Sequence, residues 1–329
     1  MISFFETWIS LKYLFPKTKE KFFSIVTLFS FLGISLGVAT LIIVMSVMNG
    51  FREELTSKIL GINGHLKIKS AYSGGLKIDS EFSNKISEFD KSLTIHKVLT
   101  SQGLLSFNKY SSGVLIKGVT HNFFLERNIL TKSISKEFIQ DFKTNKGIFI
   151  GEKLKKKLGL TVGDYLTILS SQNYETVFGN LPRSASFKIV GFFDIGMYEY
   201  DTSLIFMPIS LLQKFLDNNG KIGHYEIVVS NFSEVELIKT NLEKMLPDYL
   251  RIVDWRELNP SLFNAIEVER NVMFLILLLI IIVAAFNLIS SMMILVSNKK
   301  KDIGVLRVVG ISKFQVLKIF ILNGFLIGF

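Results

Sequence analysis

The sequence predicts a membrane protein in which helical spans flank a large mixed α/β domain. Apolar residues are concentrated in two uncharged runs, Phe22–Met48 and Val272–Val296. Each run exceeds the roughly 20 residues that a helix needs to cross a bilayer. The segment between them instead alternates short patterns typical of strands and helices. A hydrophobic content of 49% with only 20% charged residues also argues against a disordered chain.

The basic residues predict the orientation of the two spans. The chain carries a net charge of +10, and most of this excess flanks one side of each apolar run, with Lys299–Lys301 directly after the second. This positive-inside distribution predicts a cytoplasmic N-terminus, a cytoplasmic lysine cluster and a middle segment on the opposite side of the membrane. A nucleic-acid-binding surface is the competing interpretation, and the position of the charges beside the spans argues against it.

The first apolar run is predicted to be an uncleaved anchor. Its core is longer than the 7–15 residues of a signal peptide, and no small-residue cleavage site follows it. A helical pattern instead continues from Met48 to Leu55. The chain has no cysteine, which excludes disulfides, thiolate metal sites and a lipidated N-terminal cysteine.

Small and polar residues within the runs indicate helix packing. Gly33 and Gly37 lie about one helical turn apart in the first run, a spacing that allows close approach of another helix. Incidental small residues are the alternative interpretation. Asn287 lies within the second run, and because an amide in lipid needs a polar partner, we expect it to face protein.

The middle segment predicts a mixed domain with several short elements. Period-two alternation and helical spacing of apolar residues distinguish the two types. Strands are expected at 65–69, 94–107, 113–119, 147–150, 162–170, 186–193, 204–207 and 225–229, and helices at 79–89, 152–158, 233–246 and 254–270.

Residues 171–185 form the most ambiguous segment of this domain. The strands on either side are too far apart in sequence to predict a tight hairpin. A projecting hairpin with exposed apolar residues would need a binding partner, whereas a loop folded back onto its own domain would not. Composition alone leaves both interpretations open.

Motifs for catalysis and nucleotide binding are absent from the sequence. The chain contains no G-x-x-x-x-G-K-[ST], H-E-x-x-H or G-x-S-x-G, and its four histidines are scattered singly. Asp194, Glu199 and Asp201 are close in sequence; we expect a hydrogen-bonded turn there, with a catalytic carboxylate pair as the alternative. We therefore expect neither an enzyme nor a metal site.

The C-terminal part combines a short amphipathic segment with a third apolar run. Lys301–Gly310 places Ile303 and Leu306 on one helical face. A further run begins at Phe314, but its uncharged part after Lys318 would span only about 16 Å at 1.5 Å per residue. We therefore expect the polypeptide to be incomplete.

Several motifs together resemble the lipoprotein-releasing permeases of the LolC/LolE group, which are grouped with MacB-type exporters and FtsX. The most specific motif is Asp254–Phe263, before the second apolar run. The others are Val47–Phe51, Gly196–Asp201, Val283–Ser291 and Asp302–Arg307.

The resemblance implies an α-helical permease with four membrane helices, the third truncated here, and a large periplasmic α/β domain of MacB-like core type. The implied segments are a cytoplasmic N-terminal segment at 1–21, transmembrane helices at 22–48 and 271–297, a periplasmic domain at 49–270 with a hook-like hairpin at 171–185, a cytoplasmic coupling helix at 298–313, and the start of a third transmembrane helix at 314–329.

The resemblance also implies a function and its partners. A permease subunit of an ABC transporter in the bacterial inner membrane would extract triacylated lipoproteins and pass them to a LolA-like periplasmic carrier. A separate LolD-like ATPase would bind ATP and Mg²⁺, so no cofactor is expected in this chain. The second permease subunit would be an identical chain or the partner in a LolC/LolE-type pair, and no nucleic acid is involved. A MacB-type exporter or an FtsX-type regulator of a cell-wall hydrolase is the alternative.

The same resemblance suggests roles for individual residues. The carrier-binding hook would use Phe178, Pro182 and Arg183; the ATPase contact would use Ile303, Leu306 and Arg307; and acyl chains would contact Val44, Val47 and Met48.

Overall fold

A computed structural model describes residues 4–14, 21–72, 75–77, 86, 90, 93–131, 134, 136–176, 179–218 and 220–328. The chain divides into two compact units. The helical unit comprises Met1–Arg52 with Phe263–Phe329, and the sheet unit comprises Glu53–Leu262.

The helices of the described chain follow one another in this order: α1 (Phe4–Leu14), α2 (Lys21–Asn63), α3 (Asn122–Leu125), α4 (Asn128–Thr131), α5 (Lys136–Lys143), α6 (Glu152–Leu158), α7 (Tyr198–Ser203), α8 (Ile209–Leu216), α9 (Val235–Met245), α10 (Trp255–Leu258), α11 (Pro260–Asn298), α12 (Lys300–Val308) and α13 (Lys313–Gly328). The strands are β1 (Leu66–Ser70), β2 (Leu76–Lys77), β3 (Thr94–Phe107), β4 (Tyr110–Val119), β5 (Ile148–Gly151), β6 (Tyr165–Thr176), β7 (Gly179–Phe193), β8 (Leu204–Pro208), β9 (Lys221–Ile222), β10 (His224–Val228) and β11 (Leu250–Asp254).

Within the helical unit, α2 and α11 are both long and apolar enough to cross a membrane. Their glycines mark close approach: a Cβ atom added to Gly33 would lie 3.5 Å from Nδ2 of Asn287, and one added to Gly37 would lie 3.5 Å from Cγ2 of Ile280. Small residues therefore allow α2 to approach α11. The Asn287 amide reaches α2, although the residue is otherwise exposed on the described chain.

The N-terminal helix α1 packs against α13 in the same unit. Ser10 Oγ donates a buried 2.5 Å hydrogen bond to Asn323 Oδ1. Leu295 and Phe320 form a small buried cluster, against which the half-buried Ile303 also packs. The C-terminal end of α11, together with α12 and α13, thus shares one apolar contact region.

The sheet unit is built on nine strands in the order β11-β1-β10-β3-β4-β8-β5-β7-β6. Most neighbours are antiparallel, while β4 with β8 and β5 with β7 are parallel. An additional antiparallel pairing of β3 with β6 closes six of the strands into a barrel. Gly103 lies at that closure, where an added Cβ would come within 2.7 Å of Leu169 O, so the two strands can meet only at a glycine.

Three apolar clusters form the core of the sheet unit. The first contains aliphatic side chains of the barrel strands, including Leu105, Ile116 and Ile168. The second is rich in phenylalanine, with Phe124 and Phe206 at ring-centroid distances typical of edge-to-face packing. The third joins β1 and β10 to α9.

The predicted strands at 94–107, 113–119 and 204–207 are confirmed. The sequence left open whether residues 171–185 project as a hairpin or fold back onto the domain, and the described parts of this segment belong to one long hairpin. β6 and β7 continue to pair from Asn173 opposite Pro182 to Thr176 opposite Gly179. A register irregularity between Leu169 and Asn173 accommodates the extension. Most of the predicted helix at 79–89 lies outside the described residues.

Candidate functional site

An apolar cavity of about 350 Å³ lies between α2 and α11 in the helical unit. Its walls are mainly methionine, leucine and phenylalanine side chains. The charged groups lie at one end of the cavity, where the lining residues of α2 end and those of α11 begin. It is lined by Met45, Met48, Asn49 and Arg52 of α2 and by Glu269, Arg270, Met273, Phe274 and Leu277 of α11. Apolar walls with a few polar groups are typical of a site for an amphipathic ligand.

Of the three residues predicted to contact acyl chains, only Met48 lines this apolar cavity. Val44 and Val47 are exposed on α2 and are not part of its lining. Met45 is an apolar lining residue of α2 that the sequence prediction missed. Met45, Met48 and Arg52 are spaced by three and four residues and therefore lie on one face of α2, which forms this wall of the cavity.

An ion pair joins the two helices at the polar end of the apolar cavity. Arg52 Nη2 lies 2.9 Å from Glu269 Oε2, and the two side chains are 31% and 24% exposed. The second polar atom of each group, Arg52 Nε and Glu269 Oε1, is occluded and has no hydrogen-bond partner in the described chain. Sequence reasoning missed this pair, although its residues continue the helical spacing of the cavity lining.

The predicted hook is the paired end of β6 and β7. Phe178 lies outside the described residues, and Pro182 is exposed. Arg183 is half-buried, and its Nη2 donates a 2.8 Å hydrogen bond to Oδ2 of Asp217, at the end of α8. Part of the hairpin base therefore contacts its own domain, as the fold-back interpretation proposed.

A second cavity, of about 520 Å³, lies at the base of this hairpin. It combines aromatic and aliphatic side chains with two cations. Its lining residues are Arg183, Ser184, Ala185, Phe187, Leu211, Lys214 and Phe215.

The predicted ATPase contact lies on and beside α12. Ile303, which was predicted to contact the ATPase, packs instead against the Leu295 and Phe320 cluster of the same unit. Arg307 Nη1 donates a 2.9 Å hydrogen bond to Ile311 O in the turn that follows α12. Leu306 is half-buried.

The most exposed apolar side chains of this region are valines that were not predicted as contacts. Val305 is 63% exposed, Val308 89% and Val309 77%. Single exposed apolar residues are ordinary, but three within one turn form an uncovered apolar surface.

A buried charge cluster fixes the end of α2 within the sheet unit. Glu226 is fully buried and lies 2.7 Å from Lys117 Nζ and 2.9 Å from Arg127 Nη2. Lys117 Nζ also donates to Ile62 O at 2.7 Å, and Arg127 Nη1 donates to Gly61 O at 2.9 Å. The cations thus satisfy the last carbonyls of α2 and its negative dipole end.

The pKa values in this cluster are shifted by burial and by neighbouring charge. Burial alone would raise the pKa of Glu226, but Lys117 and the other surrounding cations hold it well below its ordinary value. Burial, only partly offset by Glu226, lowers the pKa of Lys117 to about 7. Burial and the charge of Arg127 lower the pKa of His96 to about 4.

The two motifs most prominent in the sequence have structural roles. Asp254 accepts a 2.8 Å hydrogen bond from Glu257 N and caps α10. Asp201 is buried and accepts hydrogen bonds from Ile195 N at 2.9 Å and Gly196 N at 3.1 Å. The expected hydrogen-bonded turn is confirmed. Among the described residues, no group of three or more His, Asp or Glu side chains could hold a metal ion.

Comparison with known protein families defines the class of the chain. The family model for the MacB-like periplasmic core domain matches residues 27–244. The family model for the FtsX-like permease C-terminal region matches residues 274–329. The chain is therefore a permease with a MacB-like periplasmic domain.

Curated relatives narrow this class. LolC of the lipoprotein-releasing system of Neisseria meningitidis serogroup B is 32% identical over 98% of this chain and 78% of the relative. LolC of Xylella fastidiosa strain Temecula1 is 29% identical over 97% and 77%. LolE of Haemophilus influenzae is 26% identical over 98% and 78%. The chain belongs to the LolC/LolE family of lipoprotein-releasing permeases, which confirms the resemblance.

Among solved structures, the periplasmic region of MacB from Actinobacillus actinomycetemcomitans aligns with a TM-score of 0.39 and 14% identity. The alignment covers 63% of this chain and 96% of the other.

Proposed function

We propose that this chain is the permease subunit of an ABC transporter that extracts triacylated lipoproteins from the bacterial inner membrane and hands them to a periplasmic carrier. Near-full-length similarity to LolC and LolE relatives carries the proposal. The apolar cavity between α2 and α11 supports it, because it offers an apolar environment beside three charged groups.

Physical chemistry explains why such a permease needs partners. Each buried methylene of an acyl chain contributes about 0.8 kcal/mol to membrane anchoring. Three chains therefore amount to tens of kcal/mol, and spontaneous release is negligible. Extraction needs an energy source and an apolar acceptor for the chains.

The energy source in this proposal is a LolD-like cytoplasmic ATPase that binds ATP and Mg²⁺. The absence of a nucleotide-binding motif from the sequence supports a separate subunit. The exposed valines Val305, Val308 and Val309 would enter its groove, with Leu306 at the edge. Ile303 would instead fix α12 to the permease, since it packs inside the helical unit.

The acceptor in this proposal is a LolA-like carrier held by the hook. Pro182 is exposed on the hairpin, and the cavity at its base combines Phe187 and Phe215 with the cations Arg183 and Lys214. Aromatic and arginine side chains are the residues that most often dominate protein interfaces.

The complete permease is proposed to follow the family plan of four membrane helices and to assemble with a second permease subunit. That subunit is either an identical chain or the partner of a LolC/LolE-type pair. The orientation can be tested with two matched lysines, because the chain has no cysteine of its own. In intact spheroplasts, an impermeant thiol reagent should label Lys109→Cys in the sheet unit and not Lys300→Cys, and the opposite labelling would contradict the orientation.

Reconstitution tests the proposed function as a whole. The permease, its ATPase and a triacylated lipoprotein would be placed in proteoliposomes, with the carrier outside. We expect transfer of lipoprotein to the carrier only when ATP and the carrier are both present. Export of another substrate, or activation of a cell-wall hydrolase without lipoprotein transfer, would instead support a MacB-type or FtsX-type function.

A further inference from the structure

We propose that the Arg52–Glu269 ion pair is a latch that holds α2 and α11 together at the polar end of the apolar cavity and opens when an acylated ligand is loaded. This inference rests on the proposed lipoprotein-releasing function, because it assigns a loading step to that cavity. The position of the pair, its incomplete hydrogen bonding and the size of the cavity carry it.

The position of the pair makes it a barrier between the helices. Arg52 lies one turn beyond Met48 on α2, and Glu269 lies one turn before Met273 on α11. Each partner therefore belongs to a different wall of the same cavity. The spans predicted at 22–48 and 271–297 end just short of both residues, so these predicted limits place the pair near the membrane surface. A ligand that parts the helices there must separate Arg52 from Glu269.

The incomplete hydrogen bonding of Arg52 and Glu269 is consistent with an ion pair that can separate. Arg52 Nε and Glu269 Oε1 are occluded without a hydrogen-bond partner in the described chain, although buried polar groups are normally satisfied. Opening would let water or a ligand reach both atoms. Because the side chains are 31% and 24% exposed, the closed pair adds little to stability, and its loss is readily offset by new contacts.

The size of the cavity requires movement. Its volume of about 350 Å³ is near the lower end of the range of roughly 300–1,000 Å³ that small-molecule sites occupy. A triacylated anchor, with three long chains, is larger than such ligands. The helices must therefore separate for loading. The freed Arg52 guanidinium, together with Arg270 in the same lining, would then donate to the ester and amide carbonyls of the lipidated N-terminus.

Cross-linking tests whether the helices must part. The native chain has no cysteine, so an Arg52→Cys/Glu269→Cys variant, assembled with its partner subunits in proteoliposomes, carries thiols only at the latch. A short bifunctional thiol reagent would hold the helices closed, whereas a long flexible one would let them separate. We expect the short linkage to reduce binding and transfer of a triacylated lipoprotein at least about ten-fold, because apparent affinity falls with the binding-competent fraction. The long linkage should restore both, and equal transfer with both linkers would overturn the latch.

Charge exchange tests the pair itself and separates the latch from the proposed function. R52E and E269R each place like charges together and should shift the helices towards the open state, seen as a longer distance between spin labels on α2 and α11. The R52E/E269R exchange should return the distance to the native value, and failure to do so would contradict the latch. If the unmodified complex itself transfers no lipoprotein, the proposed function fails. If it transfers lipoprotein and the short-linked variant does so equally, only the latch fails.

Discussion

The ion pairs of the two units differ in burial and in hydrogen bonding. In the sheet unit, Glu226 is fully buried and contacts Lys117 and Arg127 at hydrogen-bonding distance. In the helical unit, the Arg52–Glu269 pair is partly exposed, and one polar atom of each partner has no hydrogen-bond partner in the described chain. The first arrangement resists opening, because separation leaves charges buried without partners. The second arrangement allows opening, because water can replace the lost contact.

Packing within the two units differs in the same sense. The sheet unit buries an interlocked set of phenylalanine rings, with Phe124 contacting Phe142 and Phe206 edge to face. In the helical unit, α2 and α11 approach through Gly33 and Gly37 and leave a cavity farther along. A densely packed core holds its side chains in a single arrangement. A contact made through small residues beside a cavity has less packing to break, so the two helices can move apart and come together again. The comparison therefore favours the helical unit as the place of the proposed loading movement.

The largest effect is expected from breaking the buried charge cluster. Glu226→Gln would leave Lys117 and Arg127 buried without a carboxylate and should lower the stability of the sheet unit by about 3–5 kcal/mol. Glu257→Gln is the matched control, because Glu257 is 37% exposed in its ion pair with Lys239 and should change stability by less than about 1 kcal/mol. Chemical unfolding followed by fluorescence of Trp255 in a Trp8→Phe background measures both. Similar losses in the two variants would contradict a special role for the buried cluster.

The next effect concerns the exposed valines of α12. Val308→Asp would place a carboxylate in the proposed ATPase groove and should weaken ATPase binding by roughly 2–4 kcal/mol. Because Val308 is 89% exposed, the melting temperature of the permease alone should not change. Ile303→Asp should instead lower that melting temperature, since Ile303 packs inside the helical unit. Co-purification and thermal unfolding distinguish the two, and undiminished ATPase binding by Val308→Asp would exclude this surface.

A smaller effect is expected at the hook. Replacing Phe178 or Arg183 with alanine should weaken carrier binding by about 1–3 kcal/mol, as is typical of interface anchors, and should leave basal ATP hydrolysis of the complex intact. Asp217→Ala is the control for Arg183, because it removes the internal partner at 2.8 Å and keeps the guanidinium. If Asp217→Ala and Arg183→Ala weaken carrier binding equally, Arg183 acts by holding the hairpin to its domain.

The smallest effect is a pH dependence confined to the sheet unit. The pKa of His96 is lowered to about 4 in the folded chain, so the unfolded chain binds the proton more readily, and stability falls as pH decreases from the ordinary value of about 6.5. Between pH 7 and 5.5 the loss should be about 1 kcal/mol. His96→Phe should reduce this pH dependence. Part of the dependence should remain in that variant, because burial also lowers the pKa of His224. Trp255 fluorescence provides the readout, and an unchanged pH dependence would exclude His96 as a source.

The sequence predicted those helices and strands that are determined by the pattern of residues within the element itself. Strands such as β3 and β4 follow from alternation of apolar residues, and the two spans follow from long uncharged runs. The strand β11, Leu250–Asp254, was missed because it is short and contains Arg251. Composition alone left the hairpin of β6 and β7 undecided, because turn residues within the segment obscured the alternation.

The candidate sites depend on contacts between distant residues, which local patterns do not contain. Glu226 lies in a predicted strand, but its burial depends on Lys117, Arg127 and the end of α2. The Arg52–Glu269 contact likewise needs two helices far apart in sequence. A helical-wheel comparison starting from Met48 would have selected Met45 and Arg52, but not the residue opposite. Ile303 was assigned to the ATPase because its intramolecular cluster with Leu295 and Phe320 cannot be seen in the sequence.

Photo-cross-linking to the acyl chains of a lipoprotein tests the central claim most directly. A photoreactive side chain would replace Met48, which lines the apolar cavity, or Val47, which is exposed beside it. In proteoliposomes with the ATPase, we predict strong cross-links to the acyl chains at position 48, much weaker ones at position 47, and loss of the cross-links at position 48 when ATP and the carrier are added. Equal labelling at both positions, or labelling at position 48 that persists with ATP and carrier, would contradict extraction of lipoproteins through this cavity.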